Sequence, residues 1–267
     1  VTEIDSWLRD PYAIYARHVL KLRALPALEE AADRSDIGVV VHDGLDLWLK
    51  EGQKGGRALH GCLLKMLEDR ELRPALAAWW RPRVLRIADW VCEREAQRER
   101  PVLLKTEQKG TLTLTPPYAP FRLTARADRI EIAQDGRATI IDYKTGTLPK
   151  VSDVEAGWSS QLVLEAAMLR LGGFADLPAA ETASLLYWRL TGDRHRGEEL
   201  SVPKKPGDLD GLVDSALDRL RRRVEIFDDP NTAYRSHPHP DYVPRYSDYA
   251  HLARVSEWSA AREEGGE

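Results

Sequence analysis

Apolar positions recur at the helical period through the first hundred residues and then change to strand-like runs. The opening Thr2-Glu3-Ile4-Asp5 has the form of a capping signal. Asp10-Pro11 restarts a helix, with Asp as N-cap and Pro in the first turn, and Tyr12, Tyr15, Val19 and Leu20 follow at helical spacing. Residues 36–50, 56–68 and 74–98 continue the helical pattern. The change comes at Pro101. Residues 102–115, rich in Leu and Thr, read as a strand, 121–133 as a second and 138–143 as a third, with Gln134-Asp135-Gly136 as the hairpin turn between the last two. A helix over 160–171 stops at Gly172-Gly173. Strands over 183–190 and 198–202, helices over 209–227 and 247–262, and a proline-rich loop over 229–245 complete the pattern. The order predicts an α/β core wrapped by helices at both ends, with no linker to divide it.

One strand breaks its own pattern. In Ile140-Ile141-Asp142-Tyr143-Lys144, an acid and a lysine stand where the apolar run should continue. Alternation puts Asp142 and Lys144 on one face and Tyr143 on the other. A surface ion pair at a strand end is one reading. The other depends on the preceding strand, which carries Asp128. A two-residue Asp135-Gly136 turn would set Asp128 opposite Tyr143. A three-residue loop, Gln134 to Gly136 with Gly136 left-handed, sets it opposite Asp142 and is preferred, because glycine suits that position. Two carboxylates side by side oppose each other's ionisation, and a bound cation removes the conflict. Hard oxygen ligands on neighbouring strands suit Mg²⁺ or Mn²⁺, and Lys144 could then hold an attacking water or offset charge at a phosphate.

Composition bounds this picture. The 267 residues are 43% apolar and 31% charged with net charge −4, so any nucleic-acid surface must be local or shared with a partner. Cys62 and Cys92 form no metal-binding pair and no disulfide framework, which fits a reducing cytoplasm. No apolar run approaches the roughly 18 residues of a membrane span, and no phosphate loop of Gly-x-x-x-x-Gly-Lys form is present, so no ATPase is expected. The chain opens on Val1 without Met, as expected of a piece of something longer.

Taken in order, these residues resemble the PD-(D/E)xK nuclease superfamily and its RecB-like branch. The resemblance rests on Gly38-Val39-Val40-Val41-His42, Asp128, Asp142-Tyr143-Lys144-Thr145-Gly146 and Gln161, which match a helix-borne Gly-x-x-x-His, an Asp, a strand-borne Asp-x-Lys-Thr-Gly and a downstream helical Gln. Trp7-Leu8-Arg9-Asp10-Pro11-Tyr12 and Tyr249-Ala250-His251-Leu252-Ala253-Arg254 extend it to the C-terminal nuclease domain of AddB-type helicase–nuclease subunits. It implies a restriction-endonuclease-like α/β core, a central mixed sheet flanked by helices, in one domain over 1–267. Residues 1–100 would form its helical N-terminal part, 101–205 its catalytic core and 206–267 its C-terminal helices. It further implies a Mg²⁺- or Mn²⁺-dependent exonuclease cutting DNA single strands or ends in double-strand-break repair, beside a helicase–nuclease partner subunit and away from membranes. His42, Asp128, Asp142 and the Tyr143 carbonyl would hold the metal, Lys144 would be the catalytic lysine, and Gln161 would orient DNA or water. Glu107 could support the site. Apart from the resemblance, Arg126 is a candidate DNA contact.

Two departures qualify the match. The branch places a Tyr four residues after the Gln, where this chain has Glu165. Glu165 shares a helix face with Gln161, so it either reaches the metal shell through water or weakens phosphate contact. Many AddB-type domains also hold an iron–sulfur cluster on four cysteines. The corresponding positions here are Asp10, Arg245, Asp248 and Arg254, so no cluster is expected. These charges could join the first and last helices ionically, or be ordinary surface charges. Elsewhere, His237-Pro238-His239 reads as a solvated loop, and the run Arg219, Arg221, Arg222, Arg223 as a solvated face with phosphate contact as the alternative. Most tryptophans, Trp79, Trp80 and Trp90 among them, read as core or interface anchors, and Trp158 could also stack on a base. A non-catalytic DNA-binding or scaffolding module and a free-standing RecB-like exonuclease are the competing functions.

Overall fold

The computed structural model describes residues 1–23, 25, 34–52, 56–70, 74–243, 247–255 and 257. Two short helices, α1 (Thr2–Arg9) and α2 (Pro11–Ile14), are followed by a π-helical turn, Tyr15–Val19. Three longer helices come next: α3 (Arg34–Lys50), α4 (Gly56–Glu68) and α5 (Pro74–Glu95). The sheet is then laid down as β1 (Leu103–Leu114), β2 (Phe121–Ile132) and β3 (Ala138–Lys144). Helices α6 (Val151–Glu155) and α7 (Gln161–Arg170) carry the chain over to β4 (Thr182–Arg189) and β5 (Glu198–Val202). Helix α8 (Leu209–Asp228) and the single turn α9 (Ala250–Ala253) end the described chain.

The five strands form one mixed sheet in chain order. β1, β2 and β3 are an antiparallel meander, β3 and β4 are parallel across the α6–α7 crossover, and β5 returns antiparallel to β4. Helices cover both faces, so the central strands are apolar on both sides. Ile130, Ile140 and Leu185 pack with Leu162 of α7 and Leu220 of α8. Ile141, Tyr143, Leu186 and Trp188 pack on the opposite face with Val40 of α3, Leu63 of α4 and Val84 of α5. This is the α/β core expected from the pattern, in the restriction-endonuclease-like arrangement that the resemblance implies.

The preferred three-residue turn is present. Ala133 N–H donates to Arg137 O at 2.9 Å, and Gly136 adopts φ 79°. The β2–β3 ladder runs from Ile132↔Ala138 to Arg129↔Ile141, so the next level sets Asp128 opposite Asp142.

The strands are irregular at that level. In β2 the side chains joining the α7–α8 layer are Leu123, Ala125 and Ala127 on one side of Asp128, and Ile130 and Ile132 on the other. In β1 they are Leu103 on one side of Glu107, and Leu112 and Leu114 on the other. Facing parity therefore switches at Glu107 and Asp128, which lie opposite each other between Thr106↔Arg129 and Gln108↔Ala127. Glu107 has φ 50°. An interruption of this kind re-aims a side chain out of the pleat. Here it turns two carboxylates toward the end of β3.

Some local expectations change. Val1, not Thr2, is the N-cap of α1, and no side chain caps it. Asp10 does cap α2, accepting from Ala13 N–H at 3.4 Å. α5 ends at Glu95, and the five-residue α6 was too short to show a period. The helix expected over 247–262 is one turn among the described residues, ended by Arg254 in the left-handed region. Positions 258–262 lie outside the described residues. No described helix is long and apolar enough to cross a membrane.

Candidate active site

His42 reaches the sheet because of what precedes it on α3. Gly38 lies one turn earlier on the same face, and a Cβ there would meet Thr145 Oγ1 at 3.3 Å. Its bare backbone lets α3 approach the end of β3. One turn after His42, Asp46 accepts the Thr106 hydroxyl at 2.5 Å, tying the same face to β1 beside Glu107. His42 Nε2 then donates to the Tyr143 carbonyl at 2.9 Å, and Nδ1 lies 3.4 Å from Asp128 Oδ1 and 3.8 Å from Glu107 Oε1.

His42, Glu107 and Asp128 form a possible cation-binding group, each offering a ligand atom within 4.8 Å of the others. Asp128 Oδ2 also accepts the Tyr143 N–H at 2.7 Å, replacing the ladder bond lost where β2 leaves β3. Glu107, expected only to support the site, thus stands inside this group, held on its outer side by Arg126 Nε at 2.5 Å.

Asp142 turns instead toward Lys144 and α7. Lys144 Nζ donates to Asp142 Oδ1 at 3.0 Å, lies 2.9 Å from Oδ2, and donates to Gln161 Oε1 at 3.2 Å. Gln161 closes the triangle, its Nε2 donating to Asp142 Oδ1 at 2.7 Å. Asp5 of α1 fixes the start of α7 by accepting the Ser160 N–H and hydroxyl at 2.9 and 2.6 Å. On the next turn Glu165 is buried and receives Gln161 Nε2 at 3.4 Å.

Burial and neighbouring charge perturb two of the carboxylates and the imidazole here. Burial, together with the charge of Asp128, pushes Asp142 up to about 6 against the pull of Lys144 and His42. Burial, then the charges of Asp142 and Asp128, holds Glu165 well above the ordinary carboxylate range. Burial works against charge on His42, but its contacts with Asp128 and Glu107 and the charges of Asp128 and Asp142 prevail, and it is pushed up to about 10. The imidazolium therefore balances the carboxylates. The donor set, two carboxylates and an imidazole beside a backbone carbonyl, suits a divalent cation such as Mg²⁺ or Mn²⁺.

The remaining candidates lie elsewhere. Trp158 stacks on Tyr242 at 3.8 Å and meets His239 edge-on, so part of the ring offered to a base is already covered. Arg219 donates to Ala156 O at 3.2 Å and Arg221 pairs with Asp218, so these two arginines serve local contacts. Among the described residues no ion pair joins Asp10 to Arg254, and Arg245 lies outside them. Arg254 is at the surface and its Nε donates to Glu257 at 2.8 Å, three residues on. Asp10 is buried, where shorter side chains reach it: His237 Nε2 and Ser247 Oγ each lie 3.4 Å away. His237 is therefore mostly buried, its side chain 10% exposed, although it lies in a loop whose next residue, Pro238, is exposed. Asp248 has no ion pair among the described residues. Sequence reading also missed the exposure of Trp79, which no period or motif signals.

Comparison with known proteins agrees with this geometry. The family described as the PD-(D/E)XK nuclease superfamily matches residues 1–244, and the chain belongs to it. The chain is similar to uncharacterized proteins of Rickettsia bellii (30% identical over 187 residues) and Rickettsia felis (31% over 191 residues). Each match covers 65% of this chain and 22% of the relative, so the chain spans about a fifth of the length of the curated relatives it matches.

Proposed function

We propose that this chain is the nuclease domain of an AddB-like helicase–nuclease, hydrolysing phosphodiesters in single-stranded DNA at processed ends. The observation that carries the reading is Lys144, which bridges Asp142 and Gln161 beside the His42, Glu107 and Asp128 group. The partial coverage of much longer relatives supports a domain working within a larger protein.

In this reading His42, Glu107 and Asp128 hold the divalent cation, with Asp142 and the Tyr143 carbonyl bordering it. The cation, when bound, supplies Lewis-acid polarisation of the phosphate and acidifies a bound water. The protein's own groups do the rest. Lys144 offers N–H donors and a positive charge where the phosphate gains negative charge in the transition state. Gln161 fixes both Lys144 and Asp142, so neither must reorient during the reaction. Glu165 keeps its proton beneath them and adds no further negative charge to the floor.

The test is cleavage of end-labelled single-stranded DNA in Mg²⁺ by the chain within its parent protein. Lys144→Ala should lower the rate by about 10²–10³, the range for removing a donor aimed at developing charge. Full Mg²⁺-dependent cleavage by Lys144→Ala would overturn the assignment.

A further inference from the structure

The residues that follow Lys144 line a second cleft. Thr145, Gly146 and Thr147, which follow the lysine directly, form one wall of a cavity of about 500 Å³. Trp79 and Arg83 of α5 and Arg189 at the end of β4 line the same cavity.

Trp79 and Trp80 are neighbours with different surroundings. Trp80 is 9% exposed and anchors α5 in the core, whereas Trp79 is 53% exposed. The Trp79 indole meets Trp80 edge-on at 4.8 Å between ring centres, yet about half of its surface stays in solvent at the edge of the cleft. The Arg83 guanidinium lies 4.1 Å from the centre of the Trp79 ring, and no carboxylate partners it among the described residues. Arg189 is anchored by its Nε donating to Gly146 O at 3.0 Å; its Nη1 lies 3.5 Å from the exposed Glu198 Oε2, and its side chain remains 38% exposed, so a phosphate would compete with a surface carboxylate for it. Asp193, the carboxylate in the lining, accepts His195 N–H at 2.9 Å and also interacts with Thr191 and, through its charge, with Arg189. The far wall is close-packed: Arg86 Nε donates to Gly192 O at 2.7 Å, and a Cβ on Gly192 would meet Arg83 O at 2.3 Å.

An exposed aromatic ring, two guanidinium groups and two threonine hydroxyls match the parts of a nucleotide. We infer that this cleft seats an unpaired nucleotide of the DNA strand next to the scissile position, its base on Trp79 and its phosphate between Arg83 and Arg189. The inference rests on the nuclease reading and names the residues that would give it its preference for single strands. Stacking on an indole requires a base free of its partner, and every base has a π-face, so the cleft selects strandedness and not sequence.

The experiment is fluorescence anisotropy with a labelled short oligo(dT) and a duplex of the same length, in EDTA so that no cleavage occurs. Trp79→Ala should weaken single-strand binding about tenfold and duplex binding less than about twofold, as loss of one base–aromatic stack predicts. Trp79→Phe should restore most of the single-strand affinity. Arg83→Gln should weaken binding and make it less sensitive to salt. Unchanged single-strand affinity in Trp79→Ala, or an equal loss on duplex, overturns the inference. Binding is read without divalent metal, so an inactive nuclease leaves this result untouched. A chain that cuts DNA while Trp79→Ala binds normally refutes the cleft alone.

Discussion

A divalent cation and a proton should compete at His42. The ring keeps its proton up to about pH 10 because Asp128 and Glu107 lie 3.4 and 3.8 Å from Nδ1. An imidazole nitrogen binds a metal only when deprotonated. Below pH 10, therefore, each bound cation that uses His42 must displace one proton. Apparent Mn²⁺ affinity should then rise about tenfold per pH unit, or about thirtyfold from pH 7 to pH 8.5, equivalent to ~2 kcal/mol at ~1.36 kcal/mol per unit. Calorimetric titration with Mn²⁺ in two buffers of different protonation enthalpy measures the displaced proton directly, and repetition at the two pH values gives the slope. His42→Asn should abolish the proton release and flatten the slope, while lowering affinity at the higher pH by about tenfold as a ligand is lost. A wild-type affinity that is the same at pH 7 and pH 8.5, with no proton displaced, would refute the competition and remove His42 from the ligand set. Without metal the same shift acts on folding. The folded value lies above the unfolded one of about 6.5, so the stabilisation from the charged ring is full below that value and lost as pH rises through about 10.

Two further predictions concern stability. Glu165 has its folded value raised, so the folded state holds a proton that the unfolded state releases above about pH 4.5. Its contribution to stability should therefore fall as pH rises from about 4.5 toward the raised folded value, by at most about 1.4 kcal/mol per unit. Glu165→Gln should remove that decline in urea unfolding followed between pH 5 and 8, and an unchanged pH profile would show that the carboxyl is ionised in the fold. Gly110 of β1 lies against the buried Phe174, whose ring carbons stand 2.6, 2.7 and 2.9 Å from where a Cβ would be. Gly110→Ala should cost about 1–3 kcal/mol through overpacking, and a urea midpoint equal to the wild type's would contradict that packing.

Much of the candidate site was legible because it is encoded locally. Side-chain alternation placed Asp142 and Lys144 on one face, and a three-residue loop with a left-handed glycine fixed Asp128 opposite Asp142. The helical period put Gly38 and His42 on one face of α3, and the need for close approach gives that glycine its reason. These relations depend on a few neighbouring residues and on backbone geometry. What the sequence left open depends on pairs far apart in the chain. Glu107 joins His42 and Asp128 because β1 and β2 both switch facing at one level, an irregularity that no alternation pattern announces. Asp142 turned to Lys144 and Gln161 because α7 docks where its first residue meets the end of β3. Asp10 found His237 and not Arg254, because at a buried position the chain supplied a short side chain from a distant loop. Trp79 and Trp80 are identical in sequence terms, and only the packing of α5 on the sheet decided which is buried and which faces the cleft. Local period sets the face of an element, but long-range packing sets what that face meets, and a polar or aromatic side chain takes its role from the partner it is given.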